Sequence, residues 1–275
     1  MRGRGGPDWL LHVPLLAAAV LFATPAVWML LSSLKSPEQL TADPYSPLPD
    51  EWRWDNYRDA VTAIPFARYL RNSLLLCAGS VVGTLVSCSL AAYGFARLRW
   101  PGRDLVFFLL IATMLLPWHA TMIPRFLLLR ELGLYNSLFA LIVPTFCGDA
   151  FYIFLLRQFF LTVPEEMSEA ARLDGCSELG VLWRIVLPLC RPALATVALF
   201  QFIAAWNDFS GPLMYLSDPR KFPLAYGLEQ FVSAYSSQTN LLLAAAVLFT
   251  LPLVVLFFLA QRTFIEGVAT TGLKG

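Results

Sequence analysis

The chain has 275 residues and a formal net charge of +1, and 57% of its residues are hydrophobic while only 14% are charged. Soluble domains carry roughly 25% charged residues, so the composition excludes an ordinary soluble domain and indicates an integral membrane protein. The nearly balanced charge gives no support for a nucleic-acid partner.

Six segments are apolar enough to cross a membrane as helices, which requires about 20 mostly apolar residues each. They cover approximately residues 10–34, 73–96, 105–124, 137–156, 192–216 and 241–260. Because these spans fill most of the chain, we predict an all-α integral membrane fold with six transmembrane helices, organised as a single domain over 1–275. Arg2 and Arg4 precede the first span as in a signal peptide, but its apolar run exceeds the usual 7–15 residues, so it is expected to be retained.

Small residues and prolines within the spans predict how the helices pack. Gly79 and Gly83 form a GxxxG pattern, which lets two helices approach closely in lipid. Pro117, Pro144 and Pro252 are expected to kink their helices.

The charged segment 162–190 predicts two short helices joined by a turn. Thr162 and Glu165 fit a capping box, in which both side chains satisfy the first backbone N–H groups of a helix. Gly175 suits a left-handed turn at the end of that helix. The segment is therefore expected to be a folded element and not a plain connection.

The second helix of this segment is predicted to start at a Ser177 cap and to stop before Pro188. An apolar stripe on the first helix is formed by Met167, Ala170, Ala171 and Leu173. Two interpretations are open from the spacing alone: an amphipathic hairpin lying at the membrane interface, or a docking element for a partner protein.

Polar residues inside the predicted spans are candidates for a transport pathway. Asp149 lies in the fourth span and Asn207-Asp208 in the fifth, next to Trp206. An acid at the centre of a bilayer costs about 2.5–3.5 kcal/mol on insertion scales, so these side chains should face protein or water. The alternatives are a hydrogen-bonded or protonated packing role for Asp149, and a turn-holding role for Asn207 and Asp208 before Gly211.

The sequence contains no standard catalytic or metal-binding motif. No G-x-x-x-x-G-K-[ST] phosphate loop, G-x-S-x-G elbow or H-E-x-x-H helix occurs. The five cysteines have no metal-site spacing and are expected to be packing residues, and His12 and His119 are expected to be interfacial or packed side chains. We therefore predict no catalytic residues, no metal site and no cofactor in this chain.

One motif and its neighbours carry a family resemblance. The motif is Glu169-Ala170-Ala171, then Gly175, Ile185 and Leu187-Pro188; its neighbours are Phe154–Phe160, Trp206-Asn207-Asp208 and the tail Gly272–Gly275. Together they resemble bacterial ABC importer permeases of the carbohydrate-uptake, MalG-like type, in which the motif is the cytoplasmic EAA loop.

The resemblance implies a function and a set of partners. The chain would be the permease subunit of an ATP-driven importer for a sugar or sugar derivative, forming half of the pathway with a second, homologous permease. Two copies of an ATPase subunit would carry ATP and Mg, and an extracytoplasmic sugar-binding protein would dock on the far side. Both termini would then be cytoplasmic, in the cell membrane.

The same resemblance assigns residues to these partners. The ATPase-coupling residues would be Glu169, Ala170, Ala171, Asp174, Gly175, Ile185, Leu187 and Pro188. The tail from about Gly267 would also reach the ATPase. The connections 35–70 and 217–240 would serve the binding protein, although an interfacial aromatic belt explains the first equally well. A direct sugar contact by Asn207, Asp208 or Trp206 stays open.

Two other classes of function compete with this one. An ion-coupled secondary transporter would depend on acids such as Asp149, but the sequence shows no inverted repeat of broken helices. A membrane-anchored assembly or sensor protein would not need six spans. Among sugars, the absence of a phosphate-binding motif favours neutral ones.

Overall fold

The computed structural model describes the backbone of residues 9–234 and 238–272, and the side chains of 12–231 and 238–261. The tail residues beyond 272 and the residues Arg2 and Arg4 lie outside this description, as does most of the polar run 233–238. Every regular element in the described part is helical. By length and composition, three helices can cross a membrane, or up to six when each bent helix pair counts as one span. The predicted fold class is confirmed.

The helices are numbered in chain order. They are α1 (Trp9–Ser32), α2 (Pro37–Ala42), α3 (Asp55–Ala63), α4 (Phe66–Ala96), α5 (Arg103–Ala112), α6 (Trp118–Glu131), α7 (Phe139–Ile142), α8 (Ala150–Thr162), α9 (Glu165–Leu173), α10 (Glu178–Val181), α11 (Leu187–Leu189), α12 (Arg191–Trp206), α13 (Ser210–Tyr215), α14 (Leu224–Ala234) and α15 (Thr239–Gly272).

These helices form two compact units. One unit takes in the residues up to Phe66 together with Gly227–Leu251, and the other takes in Ala67–Tyr226 together with the residues from Pro252 onward. The single domain expected over residues 1–275 stays a prediction.

The first unit contains a folded polar cluster in the connection after α1. Lys35 is fully buried, and its Nζ donates to the carbonyl of Ser46 at 2.5 Å. The Asn56 side-chain amide donates to the carbonyls of Ser33 and Lys35, both at 2.9 Å, and accepts from Asn240 at 2.8 Å. Buried polar groups need hydrogen-bond partners, and these bonds hold the connection after α1 in a defined conformation.

The same connection exposes aromatic side chains. Trp52 and Trp54 are 53% and 65% exposed, and their rings stack with centroids 6.4 Å apart. Tyr57 stacks on Trp54 and hydrogen-bonds to Ser33 at 2.7 Å. The stacked Trp52 and Trp54 therefore lie beside a hydrogen-bonded part of this connection.

The second unit is built around α4, whose small residues allow a close helix contact. A Cβ added at Gly79 would lie 2.9 Å from the Ile142 side chain, and one added at Gly83 would lie 2.3 Å from Thr145 Oγ1. The packing role predicted for this glycine pair is confirmed, since no larger residue fits without displacing its neighbours.

Gly83→Ala is expected to destabilise the protein by roughly 1–3 kcal/mol, as overpacking in a tight core does. Thr145 Oγ1 cannot move away freely, because it donates to the Ile142 carbonyl at 2.7 Å. The measurement is a thermal melt of the detergent-purified protein followed by tryptophan fluorescence. Gly94→Ala is the control, because a Cβ there meets nothing within 4 Å. Equal melting temperatures for the two variants would contradict the close contact.

Three of the predicted spans are not continuous helices. The segment 105–124 is interrupted where a 3₁₀ turn, Thr113–Leu115, ends and Pro117 precedes α6. The segment 137–156 contains a 3₁₀ stretch, Val143–Cys147, and a break at Gly148. The segment 192–216 divides into α12 and α13. Hydropathy measures the apolar content of a segment and not the continuity of its backbone, so it could not show these breaks.

The prolines only partly explain these interruptions. The halves of the third span meet at 102°, at the expected Pro117. The halves of the fourth span meet at 42°, and the left-handed residue there is Gly148, with φ +85°. By contrast, α15 continues as one helix through Pro252.

Candidate functional site

The three helix interruptions of the second unit line two cavities that share some of their lining residues. A cavity of about 490 Å³ is lined by Trp118 and His119 at the start of α6, and by Asp208 and Ser210 between α12 and α13. A second cavity of about 430 Å³ is lined by Cys147, Gly148 and Asp149. Irregular backbone is tolerated at membrane depth where it faces protein or a water-filled cavity, which fits this arrangement.

The two cavities share part of their walls. Three residues line both cavities: Arg125 on α6, Gln201 on α12, and Thr145. A guanidinium and a side-chain amide are planar groups with several hydrogen-bonding positions, so they can hold a polar solute in a fixed orientation.

Asp208 and Asn207 stabilise the interruption that follows α12. Asp208 Oδ1 accepts the Gly211 N–H at 2.9 Å, and Asn207 donates to the Ile203 carbonyl at 2.8 Å. A Cβ at Gly211 would lie 2.3 Å from the Asp208 carboxylate, so only glycine allows this turn. The turn-holding role is therefore present, and Asp208 also lines the larger cavity.

Asp149 has a local structural role as well. Its Oδ1 accepts the N–H groups of Phe151 at 2.9 Å and Tyr152 at 3.3 Å, which makes it the N-cap of α8. It also lines the smaller cavity. Asp149 lies at the start of a helix and not within a continuous span, because the helix is interrupted at Gly148.

Trp206 differs from its neighbours in the motif. Its side chain is only 1% exposed, and its ring stacks on Phe202 with a centroid distance of 5.6 Å. It is not among the residues that line the two cavities. In this structure Trp206 packs behind the cavity wall.

Sequence reasoning missed several cavity residues. Arg125 was not among the predicted pathway residues, but it lies within α6 and lines both cavities. Cys147 had been expected to be a packing residue, yet its side chain is exposed and lines a cavity. His119, expected to be interfacial or packed, is exposed and lines the larger cavity. The sequence signal that could have identified Arg125 is its position one residue after the apolar segment 105–124. Ionisable groups near membrane depth face a pathway or a partner.

The charged segment 162–190 forms the expected helix–turn–helix, which we call the coupling loop. Gly175 has φ +81°, and its N–H donates to the Arg172 carbonyl at 3.0 Å. Cys176 N–H donates to the Ala171 carbonyl at 2.9 Å, which completes a Schellman motif at the end of α9. Ser177 caps the next helix through Gly180 N–H. The predicted turn and the predicted second cap are confirmed.

The predicted capping box at the start of the loop is wrong. Thr162 is the last residue of α8, and its hydroxyl donates back to the Phe159 carbonyl at 2.7 Å. Pro164 stands at the N-cap position of α9 without a side-chain hydrogen bond. A threonine hydroxyl has this backbone acceptor available within its own helix, and here that local bond replaces the cap.

The second helix does not stop before Pro188. It continues through a π-helical turn, Leu182–Val186, into α11, which contains Pro188. The Leu187 N–H donates to the Leu182 carbonyl, five residues earlier. A π turn changes the partner of each carbonyl, so it can accommodate a proline that lacks a donor.

The coupling-loop residues separate into an outward and an inward set. The exposed predicted residues are Glu169, Ala170, Asp174, Gly175 and Pro188. Ala171, Ile185 and Leu187 instead pack against the buried core of the second unit. The predicted apolar stripe on α9 is therefore divided, because Ala171 faces the core while Met167 and Leu173 face outward.

The outward face of the loop is unusually apolar for an exposed surface. It carries Met167, Leu173, Leu179 and Trp183, with Leu173 88% exposed and Trp183 59% exposed. Exposed apolar patches rimmed by polar residues mark interaction sites. This face, with Glu169 and Asp174 beside it, is therefore a candidate docking surface, and we call it the docking surface.

Comparison with known proteins identifies the family. Residues 83–269 match the sequence model of the family described as "Binding-protein-dependent transport system inner membrane component". The chain belongs to this family. It is therefore a multi-pass membrane permease subunit, and the family assignment gives no support to an ion-coupled secondary transporter.

Individual relatives of this permease support the assignment over nearly its whole length. It is 31% identical to the diacetylchitobiose uptake system permease protein NgcG of Streptomyces coelicolor, over 94% of this chain and 86% of that protein. It is 32% identical to the arabinooligosaccharides transport system permease protein AraQ of Halalkalibacterium halodurans, over 98% and 97%.

A solved structure shows the same architecture. The crystal structure of a bacterial ABC transporter involved in the import of the acidic polysaccharide alginate contains a chain similar to this permease with a TM-score of 0.81 and 26% identity. The match covers 96% of this chain and 100% of the other.

Proposed function

We propose that this permease subunit imports an uncharged sugar or sugar oligomer, driven by ATP hydrolysis on a separate subunit. This proposal rests on the larger cavity of the second unit, which is lined by polar and aromatic side chains. It would form half of the translocation pathway, and a second, homologous permease would supply the other half. The chain itself would hold no cofactor, while ATP and Mg would be bound by two copies of an ATPase subunit.

The chemistry of the cavity wall fits a sugar. Sugars are recognised by planar hydrogen-bonding groups and by aromatic faces. Arg125, Gln201 and Asp208 supply the hydrogen-bonding groups, and Trp118 and Tyr215 line the same cavity with aromatic rings. The relatives named for diacetylchitobiose and arabinooligosaccharides have substrates of this chemistry.

The charges of the wall favour an uncharged solute. Arg125 is accompanied by two carboxylates, Asp208 in the larger cavity and Asp149 in the smaller. An anionic sugar would meet more negative than positive charge, and like charges in a site of low dielectric repel strongly.

The coupling loop provides the contact for the ATPase. Its exposed apolar face offers area to bury, and Glu169 and Asp174 offer carboxylates for cationic groups of the partner. Ile185 and Leu187 anchor the loop in the core of this chain, so that movement of the loop would reach the spans. Both termini would lie on the ATPase side of the cell membrane.

An extracytoplasmic sugar-binding protein would use the connection between α1 and α4. The stacked Trp52 and Trp54 are exposed on the polar cluster that contains Lys35 and Asn56. Rigid aromatic anchors on an ordered base are typical of protein interfaces. The connection 217–240 is expected to contribute to the same docking.

The proposal is tested by uptake into proteoliposomes that contain the importer purified with its co-purifying subunits and binding protein. Uptake of radiolabelled arabinobiose and diacetylchitobiose is compared with uptake of a galacturonic acid dimer. We expect ATP-dependent uptake of at least one neutral sugar and none of the acidic dimer. Uptake that needs an ion gradient and no ATP would overturn the ATP-driven proposal, and preference for the acidic dimer would overturn the uncharged-sugar proposal.

The role of the cavity is tested within the same assay. Gln201→Ala removes one neutral hydrogen-bonding group, worth about 1 kcal/mol, so uptake at low sugar concentration should fall about fivefold. Gln261→Ala is the control, because within the described residues Gln261 lines neither cavity and donates to the Phe258 carbonyl of its own helix at 3.1 Å. Equal uptake by the two variants would remove Gln201 from the pathway.

A further inference from the structure

A ring of polar side chains connects the coupling loop to the end of α4, at Tyr93 and Arg97. Tyr93 lies in the last turn of α4, and Arg97 directly follows the helix with its N–H donating to the Tyr93 carbonyl at 2.9 Å. Arg97 donates to Glu165 of α9, and Tyr93 donates to Glu178 of α10. Arg172 of α9 closes the ring by donating to Glu178 at 2.8 Å and to Glu165 at 3.3 Å.

Arg97 is the buried charged member of this ring. Its side chain is only 4% exposed, and its guanidinium also donates to the backbone carbonyls of Phe160 and Val163. These carbonyls belong to the last turn of α8 and to its C-cap, where carbonyls lack intrahelical partners and the helix dipole attracts a cation. Arg97 therefore fixes three elements at one point: α4, the end of α8 and the start of α9.

The charges in the ring alternate, so each acid is held by a cation. The pKa of Glu165 is lowered: partial burial raises it, but the hydrogen bonds from Arg97 and Arg172 outweigh the burial. The hydrogen bond to Glu178 raises the pKa of Arg172 further above its ordinary value. The hydrogen bonds from Arg172 and Tyr93 likewise lower the pKa of Glu178, so both acids of the ring are held as carboxylates.

We propose that Arg97 and Arg172 are positioning residues that make the coupling loop and the end of α4 move as one body. Apolar packing also joins these elements, since Val181 and Leu182 lie in the same buried core as Tyr93. That packing is not directional and permits sliding, whereas charge-assisted hydrogen bonds to a planar guanidinium fix direction and register. This inference rests on the proposed function, because it concerns how movement of the loop by an ATPase reaches the spans.

The first test measures rigidity in the complete importer. Spin labels are placed at exposed positions of α9 and α4, through Glu166→Cys and Leu90→Cys, in a background with Cys147→Ser. Pulsed electron resonance then gives the distance between the labels with no nucleotide and after trapping with ATP and vanadate. We expect one narrow distance, unchanged between the two states. In an Arg172→Gln background we expect a broader distribution that shifts on trapping.

The second test measures coupling, as sugar taken up per ATP hydrolysed in proteoliposomes supplied with arabinobiose and diacetylchitobiose. Arg172→Gln should lower this ratio about tenfold, within the usual range of coupling between sites, while ATP hydrolysis continues. Arg172→Lys should restore it in part, because lysine keeps the charge without the planar fork. Arg99→Gln is the control: it removes the same charge from an exposed arginine outside the coupling loop, for which the described part of the chain shows no ion pair.

The outcomes separate the two proposals. If the unaltered importer takes up sugar with ATP, but Arg172→Gln keeps both the narrow distance and the full ratio, the ring does not position the loop. If Arg99→Gln lowers the ratio as much as Arg172→Gln, the effect is one of charge and the inference is likewise overturned. If the unaltered importer shows no ATP-dependent uptake at all, the proposed function itself is wrong.

Discussion

Glu169→Lys is expected to abolish both co-purification of the ATPase and ATP-driven uptake, while the chain still inserts into the membrane. Glu169 lies in the middle of α9 and is exposed, and the described part of the chain shows no ion pair or hydrogen bond from its side chain. Its carboxylate is therefore available to a cation of the partner. Loss of one member of a desolvated charge pair costs at least about 2 kcal/mol, and reversal adds repulsion.

The measurement is the ratio of ATPase to permease after purification in mild detergent. A loss of about 2 kcal/mol corresponds to roughly a thirtyfold weaker complex, which would leave little ATPase bound after washing. Glu131→Lys is the matched control. Glu131 is exposed at the last position of α6, where a basic residue suits the helix dipole, so this reversal should be harmless. A normal ratio for Glu169→Lys would remove α9 from the ATPase interface.

The local signals of the coupling loop could be predicted because they depend on neighbouring residues only. Gly175 ends α9 in the left-handed region, and Ser177 caps α10, as their residue types indicated. The same kind of argument failed at Thr162, whose hydroxyl donates to the Phe159 carbonyl of its own helix and does not accept a backbone N–H of α9. It also failed at Pro188, where a π turn carried the helix past the expected stop.

The ring could not be predicted from sequence because its members are far apart along the chain. Arg97 and Glu165 are separated by 68 positions, and Tyr93 and Glu178 by 85. In the sequence, Arg97 counted only as one basic residue of a short loop. Its role arises only because the fold brings the end of α8 and the start of α9 next to the end of α4.

The cavity shows a related limit. The sequence identified Asp149 and Asp208 as polar groups within apolar segments, and both line cavities. It did not show that the helices are interrupted beside them, nor that Arg125 and Gln201 line the same walls. The lack of an inverted repeat of broken helices in the sequence was used as an argument against a secondary transporter, and the breaks found here show that interrupted spans by themselves do not distinguish the two classes. The family assignment does.

Gly175→Pro is expected to reduce sugar uptake to background. Proline requires φ near −65°, whereas Gly175 has φ +81°, and the substitution also removes the N–H that donates to the Arg172 carbonyl. The Schellman motif would be lost at a local cost of roughly 3 kcal/mol, and the angle between α9 and α10 would change. Because Arg172 and Glu178 lie on either side of this turn, their ion pair at 2.8 Å would also break.

The chain offers a closely matched control in Gly133→Pro. Gly133 has φ +71°, its N–H donates to the Arg130 carbonyl at 3.0 Å, and the next residue, Leu134, donates to the Leu129 carbonyl at 3.0 Å. This is the same motif at the end of α6, with nothing within 4 Å of an added Cβ at either glycine. The two variants therefore carry the same backbone strain at different places in the second unit.

The decisive measurement is uptake per assembled complex, with thermal melts recorded in parallel. Both variants should lower the melting temperature to a similar extent, because they lose the same turn. Only Gly175→Pro should abolish uptake, either because the assembled complex no longer transports or because the ATPase no longer binds. Only this turn lies between the docking surface and the ring at the end of α4. If uptake falls equally in both variants, general destabilisation explains the loss, and the coupling loop has no special part in driving transport.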